Sequence, residues 1–173
     1  MQDFYKLFPK IRPNFPGLSI YPACAFNIGP QTVCVDHVDN LNYPSTPCAI
    51  TAVGNFDCDR GGHLYLPTLK LYIRFPSGCT ILISSASIQH GNTPIGPGEE
   101  RCSITQYVPG GIVRYVQHKG QRVNQLVEDR AVYDGKKGKK GVIGDHWKDQ
   151  LCRLSLYQDL EADRVFSSWS MKK

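Results

Sequence analysis

The chain has 173 residues, 41% hydrophobic and 20% charged, with a formal net charge of +5. That is the composition of one soluble globular domain with a real core, and it excludes a disordered chain. No apolar run approaches the roughly 20 residues that span a bilayer, and prolines and charges in "MQDFYKLFPKIRPNFPGLS" stand where a signal peptide would be apolar. An intracellular protein, cytoplasmic or nuclear and without a membrane segment, is the expectation. The seven cysteines are an odd number with no CxxC pair. They predict buried, reduced thiols rather than a disulfide framework or a zinc knuckle, in agreement with a reducing compartment.

In chain order, residues 1–21, with Pro9, Pro13 and Pro16, read as an irregular arm. Short β segments follow at 23–28, 32–37, 48–53, 63–66, 69–75, 79–84, 87–90, 100–108 and 112–117, separated by turns such as "IGPQ", "NYPSTP", "DRGG", "FPSG", "GNTPIGPG" and "VPGG". In "LKLYIRF", Leu69, Leu71, Ile73 and Phe75 share one face while Lys70, Tyr72 and Arg74 share the other. Many short strands at this spacing predict a mainly β protein, a barrel or two-sheet jelly roll, over residues 22–117.

The last segment, 118–173, changes character. "RVNQLVEDRAVY" fits a short helix, and "GKKGKKG" at 135–141 is a basic, glycine-rich loop. "HWKDQLCRLSLYQDLEADRV" has Trp147, Leu151, Leu154 and Leu160 at helical spacing, which predicts a helix packed on the outside of the β body. One domain is expected. His118 and His146, in this basic and helical tail, read as solvent-facing.

The chemistry begins at "VCVDHVDN", residues 33–40. On an extended strand His37 shares a face with Val33 and Val35, and Asp39 continues that parity, while Asp36 faces away. His90, in "SSASIQHGNTPI", lies 53 residues further on at another strand end. Two histidines and one carboxylate form the facial triad that holds non-haem Fe(II) with open positions.

The order HxD, "GGHL", "FPSG" and "HGNTPIGPGEERCSITQY" resembles the iron(II)- and 2-oxoglutarate-dependent dioxygenases, which are built on a double-stranded β-helix. The resemblance covers roughly residues 23–117 and extends loosely to the base-modifying TET and JBP type. It implies Fe(II) held by His37, Asp39 and His90, with 2-oxoglutarate and dioxygen as co-substrates. It also implies that Arg101, eleven residues after His90, binds the distal carboxylate of 2-oxoglutarate together with Ser103. Arg101 and Ser103 are i and i+2, so on a strand both face one cavity, and a guanidinium is a planar fork suited to a carboxylate.

Parity adds Thr105 and Tyr107 to that face, with Tyr107 lining the cavity or closing it. Asn27, between Phe26 and Ile28, either binds the co-substrate or bonds the turn at Gly29-Pro30. Asn40 and Asn42 orient ligands or meet substrate, Asn92 meets substrate or bonds backbone in its turn, and His63 is substrate-side or structural.

The implied reaction is hydroxylation or oxidation of a C–H bond, coupled to conversion of 2-oxoglutarate to succinate. The substrate stays open among a nucleic-acid base, a peptide, an amino acid and a small metabolite. The basic loop 135–141 would suit nucleic acid, and base oxidation would need a flipped base or a single strand. Two other classes compete: a cupin-like metal-binding protein that does not use 2-oxoglutarate, and a non-catalytic nucleic-acid-binding module.

Overall fold

The structure is a computed structural model that describes residues 5, 6, 8–121 and 158. The lysine-rich loop 135–141, His146 and, apart from Gln158, the two expected helices of the tail lie outside these residues.

Seven strands are formed among the described residues: β1 (Ala23–Asn27), β2 (Cys48–Asn55), β3 (Leu64–Leu66), β4 (Leu71–Ile73), β5 (Thr80–Ile83), β6 (Gly91–Asn92) and β7 (Glu100–Tyr107). They make a four-stranded antiparallel sheet in the order β1-β7-β2-β5 and a three-stranded one in the order β4-β3-β6. Residues 31–37 run beside the small sheet, tied by the His37–His90 bridge and by Asn92 N–H donating to Cys34 O. The chain therefore passes from large sheet to small and back, apart from the β3–β4 hairpin. That wrapping makes the fold mainly β and a jelly roll, or double-stranded β-helix.

Alternation in the long strands decides what faces inward. On β7, Arg101, Ser103, Thr105 and Tyr107 line one cavity, and the register sets Asn27 of β1 opposite Ser103 and Ala25 opposite Thr105. On the other side β2 pairs with β7, placing Gly54 opposite Arg101. Gly54 has φ +135°, and a Cβ there would sit 2.1 Å from Glu100 O, so only glycine lets the strands close at this point. Ile50, Ala52, Leu64, Leu66, Phe75 and Ile83 form the core between the sheets. A second cluster of Tyr21, Tyr43, Ala49, Val108 and Val113 ties the end of the arm to the large sheet.

Several expected elements differ. Residues 112–117 belong to a helix, Gly110–Gln117, rather than a strand. Pro109 leads into it, and Val113 and Val116, three apart, turn to the interior, so tertiary packing overrides the β preference of "IVRYV". Residues 32–37 carry isolated bridges and no regular ladder. Val33 and Val35 are 46% and 76% exposed and stay off the cavity wall that His37 joins, so the three do not share an inward face. Parity fails here because no continuous ladder maintains it, and Cys34 and His37, three apart, reach the cavity instead.

Residues 87–90 form a turn ending in the His90 bridge. In "LKLYIRF" a 3-10 turn, Pro67–Leu69, precedes Lys70 at φ +53° and takes Leu69 out of the strand. Leu69 and Leu71 are half exposed, while Phe75 is buried. The six described cysteines are free thiols, but only Cys48 is buried, and Cys79 is exposed. His118 is half-buried at the C-terminal end of the helix rather than solvent-facing.

Candidate metal centre and co-substrate cavity

His37 and His90 come together because their backbones pair. Each donates its N–H to the other's carbonyl at 3.0 Å, and their rings lie 4.5 Å apart at 45°. Each ring is also fixed from behind: His37 Nδ1 lies 2.8 Å from Val35 O, and His90 Nδ1 lies 2.9 Å from Ile88 O. A carbonyl there holds the proton on Nδ1 and leaves Nε2 as the lone-pair donor, the arrangement usual for metal-ligating imidazoles. Asp39 Oδ1 lies 3.5 Å from His37 Nε2. Ligand atoms of His37, Asp39 and His90 all fall within 4.8 Å of one another, and among the described residues this is the one His/Cys/Asp/Glu group of that kind.

The donors fit a divalent transition metal: two imidazoles and a carboxylate, converging and supported from behind. They sit on the wall of a cavity of about 560 Å³. Its apolar wall is built by Ala25, Val38, Leu41, Ile50 and Leu64, and its polar wall includes Arg101, Ser103, Asn27 and Thr105.

Arg101 is the unusual member. It is only 3% exposed, and its Nε has no hydrogen-bond partner among the described residues. Nη1 reaches Thr32 O and Thr32 Oγ1 at 3.4 and 3.5 Å, at the long limit of hydrogen bonding. The guanidinium lies 5.8 Å from the Phe56 ring centre and 6.0 Å from that of Phe75. Burial lowers its pKa from the ordinary arginine value, and none of the ion pairs found among the described residues includes it. A buried cation without a carboxylate is costly, and the cavity beside it is where an acid would supply the missing acceptors. Ser103 lines the same cavity. Asn27 Nδ2 donates to Ser103 Oγ at 2.9 Å, which leaves the serine O–H free to donate into the cavity. Tyr107 lines the cavity further along the strand.

The remaining asparagines and His63 divide. Asn40 is exposed on the cavity wall. Asn42 Nδ2 donates to Asp39 Oδ2 at 3.0 Å. Asn92 spends its amide on backbone, accepting from Cys34 N–H and donating to Thr32 O and Thr93 O. His63 pairs with Thr93 and is not among the cavity-lining residues. Asp36 faces away from the cavity, toward Gln89 and Tyr65.

Sequence reasoning missed Thr32, Cys34, Cys48, Ser85, Phe56 and Phe75. None has a local spacing signal, because each reaches the site through a partner distant in the chain.

No family model matches this sequence, and no curated protein matches it. Among solved structures, the chain is similar to NgTET1 in complex with 5mC DNA, with a TM-score of 0.46 and 22% identity, over 52% of this chain and 34% of that one. It is also similar to the viral collagen prolyl hydroxylase vCPH from Paramecium Bursaria Chlorella virus-1 in its 2OG complex, with a TM-score of 0.34 and 15% identity, over 61% of this chain and 66% of that one. The chain thus spans about a third of the first neighbour's length and about two thirds of the second's. No helix among the described residues is long and apolar enough to cross a membrane.

Proposed function

We propose that the protein is an Fe(II)- and 2-oxoglutarate-dependent dioxygenase that hydroxylates or oxidises a C–H bond. The observation that carries this reading is a single cavity joining a two-histidine, one-carboxylate cluster to a buried guanidinium with an unpartnered Nε. His37 and His90 would hold the iron through Nε2 and Asp39 through a carboxylate oxygen. Arg101 and the hydroxyl of Ser103 would receive the distal carboxylate of 2-oxoglutarate, with Asn27 orienting that hydroxyl. When bound, the iron and 2-oxoglutarate supply the oxidation of the C–H bond by dioxygen, with succinate and carbon dioxide as co-products. Ala25, Ile50 and Leu64 keep part of the wall apolar, which limits water around the reacting groups.

The test is anaerobic titration of the protein with Fe(II) and then 2-oxoglutarate, following the visible charge-transfer band of the ternary complex. The band should form with the natural chain, vanish in Asp39→Ala and His90→Ala, and need far more 2-oxoglutarate in an Arg101 variant. A band unchanged in the Arg101 variant would favour a cupin-like metal protein. Absence of metal binding by the natural chain would sink the enzyme reading. The substrate proposed is one with an unactivated C–H bond, and its class is left to a product screen that includes single-stranded nucleic acid.

A further inference from the structure

The carboxylate of the triad is held by more than its own backbone. Asp39 N–H donates to Ser85 O at 2.9 Å, and Asn42 N–H donates to Asp39 O at 2.9 Å, closing a tight turn. That turn is anchored in its turn, since Gly110 N–H donates to Leu41 O and Tyr43 N–H donates to Val108 O, both at 2.8 Å. The side chain of Asn42 therefore has a fixed origin. Its Nδ2 donates to Asp39 Oδ2 at 3.0 Å and faces Ser85 Oγ and Cys48 Sγ, both at 3.3 Å. Ser85 Oγ and Cys48 Sγ are themselves 2.7 Å apart, and both residues are 1% exposed. An amide nitrogen has two hydrogens. One serves the carboxylate, and the other is shared by the buried serine and thiol, which fixes the plane of the amide.

We infer that Asn42 is a positioning residue that occupies Oδ2 of Asp39, so that the carboxylate offers only Oδ1 to the metal. Oδ1 is the oxygen that faces His37 Nε2. A carboxylate free to rotate can ligate through both oxygens and take a position that a bidentate co-substrate needs. With Oδ2 engaged, the three protein ligands fill three positions and leave the others open. Ser85 and Cys48 support this by holding Asn42, from the exit of β5 and the start of β2. This inference rests on the metal centre proposed above.

The test uses the full chain loaded with Co(II) alone, whose visible absorption reports coordination number and symmetry. In Asn42→Ala the Co(II) affinity should fall about tenfold to a hundredfold, the range for loss of an outer partner to a metal ligand. The absorption envelope should change as well, and 2-oxoglutarate should bind the Co(II) form more weakly than the metal loss alone explains. Ser85→Ala, which keeps the amide but loosens it, should shift the spectrum in the same direction by less. It also serves as the deciding variant if Asn42→Ala does not fold. Co(II) affinity within twofold of the natural chain, with an unaltered spectrum, in whichever variant folds would overturn the inference. Asp39→Ala separates the two levels: if it still binds Co(II) normally, the metal centre itself is wrong, whereas loss there with normal binding in the Asn42 and Ser85 variants refutes only the positioning role.

Discussion

Replacing Arg101 with methionine should make the empty protein no less stable while, on the function proposed above, weakening its binding of 2-oxoglutarate. Arg101 is 3% exposed, its Nε is unpartnered, and its two bonds to Thr32 are 3.4 and 3.5 Å long. The fold therefore carries a desolvated charge that little among the described residues offsets. Replacing even a buried ion pair by apolar side chains of similar volume is often neutral or stabilising by about 1–4 kcal/mol, whereas breaking a satisfied buried pair costs about 3–5 kcal/mol. A thioether also packs well against the rings of Phe56 and Phe75. The urea midpoint of the metal-free Arg101→Met variant should thus equal or exceed that of the natural chain.

The ligand side runs the other way. A hydrogen bond to a charged group is worth about 1.5–3 kcal/mol, and each 1.4 kcal/mol is about tenfold in affinity, so the Kd for 2-oxoglutarate should rise roughly 10- to 150-fold. At a concentration near 100 times the natural Kd, 2-oxoglutarate should add about 2.7 kcal/mol to the metal-loaded natural chain. A variant 100-fold weaker would gain only about 0.4 kcal/mol at the same concentration. Urea unfolding with and without ligand, on metal-free and metal-loaded samples, reads both quantities. If the empty variant loses several kcal/mol, Arg101 is a structural residue with its partners already in place. If it binds 2-oxoglutarate within twofold of the natural chain, the carboxylate lies elsewhere.

Three further outcomes follow from the same geometry. Gly54→Ala forces φ +135° on a side chain and drives its Cβ to 2.1 Å from Glu100 O. It should cost about 3 kcal/mol or more in urea unfolding, and a loss below about 1 kcal/mol would show that β2 and β7 do not close as described. Cys34 lines the cavity while Cys79 is exposed elsewhere. Metal plus 2-oxoglutarate should slow alkylation of Cys34 by iodoacetamide and leave Cys79 unaffected, as read by peptide mass spectrometry, and equal rates at Cys34 with and without ligand would contradict the cavity assignment. Burial raises the pKa of the Cys48 thiol. Its folded value therefore lies above the unfolded one, so its contribution is intact below about pH 8.5 and declines as pH rises above that value. Cys48→Ala should flatten that part of the alkaline decline, and an unchanged slope would mean that the thiol is not held protonated by the fold.

Local pattern determined much of this protein. Clean alternation in 100–108 is β7, and it correctly places Arg101, Ser103, Thr105 and Tyr107 on one wall, because side-chain direction in a long paired strand depends only on parity. His37, Asp39 and His90 were legible as a candidate set because two imidazoles and a carboxylate are the donors of one known kind of metal site, and the structure brings their ligand atoms within 4.8 Å of one another. Parity misled where the chain lacks a continuous partner. Val33 and Val35 stay off the cavity wall that His37 joins although they alternate with it, and "GGIVRYVQ" is helical although its residues favour strands. What Asp39 and Arg101 experience was decided only by tertiary structure. Asn42 is pinned by Ser85 and Cys48 from two other strand ends, and among the described residues Arg101 is left without an acid because those folded around it include Thr32, Phe56 and Phe75. Alternation is a property of neighbours in the chain, whereas desolvation and an unmet hydrogen bond depend on everything that packs around a group from elsewhere.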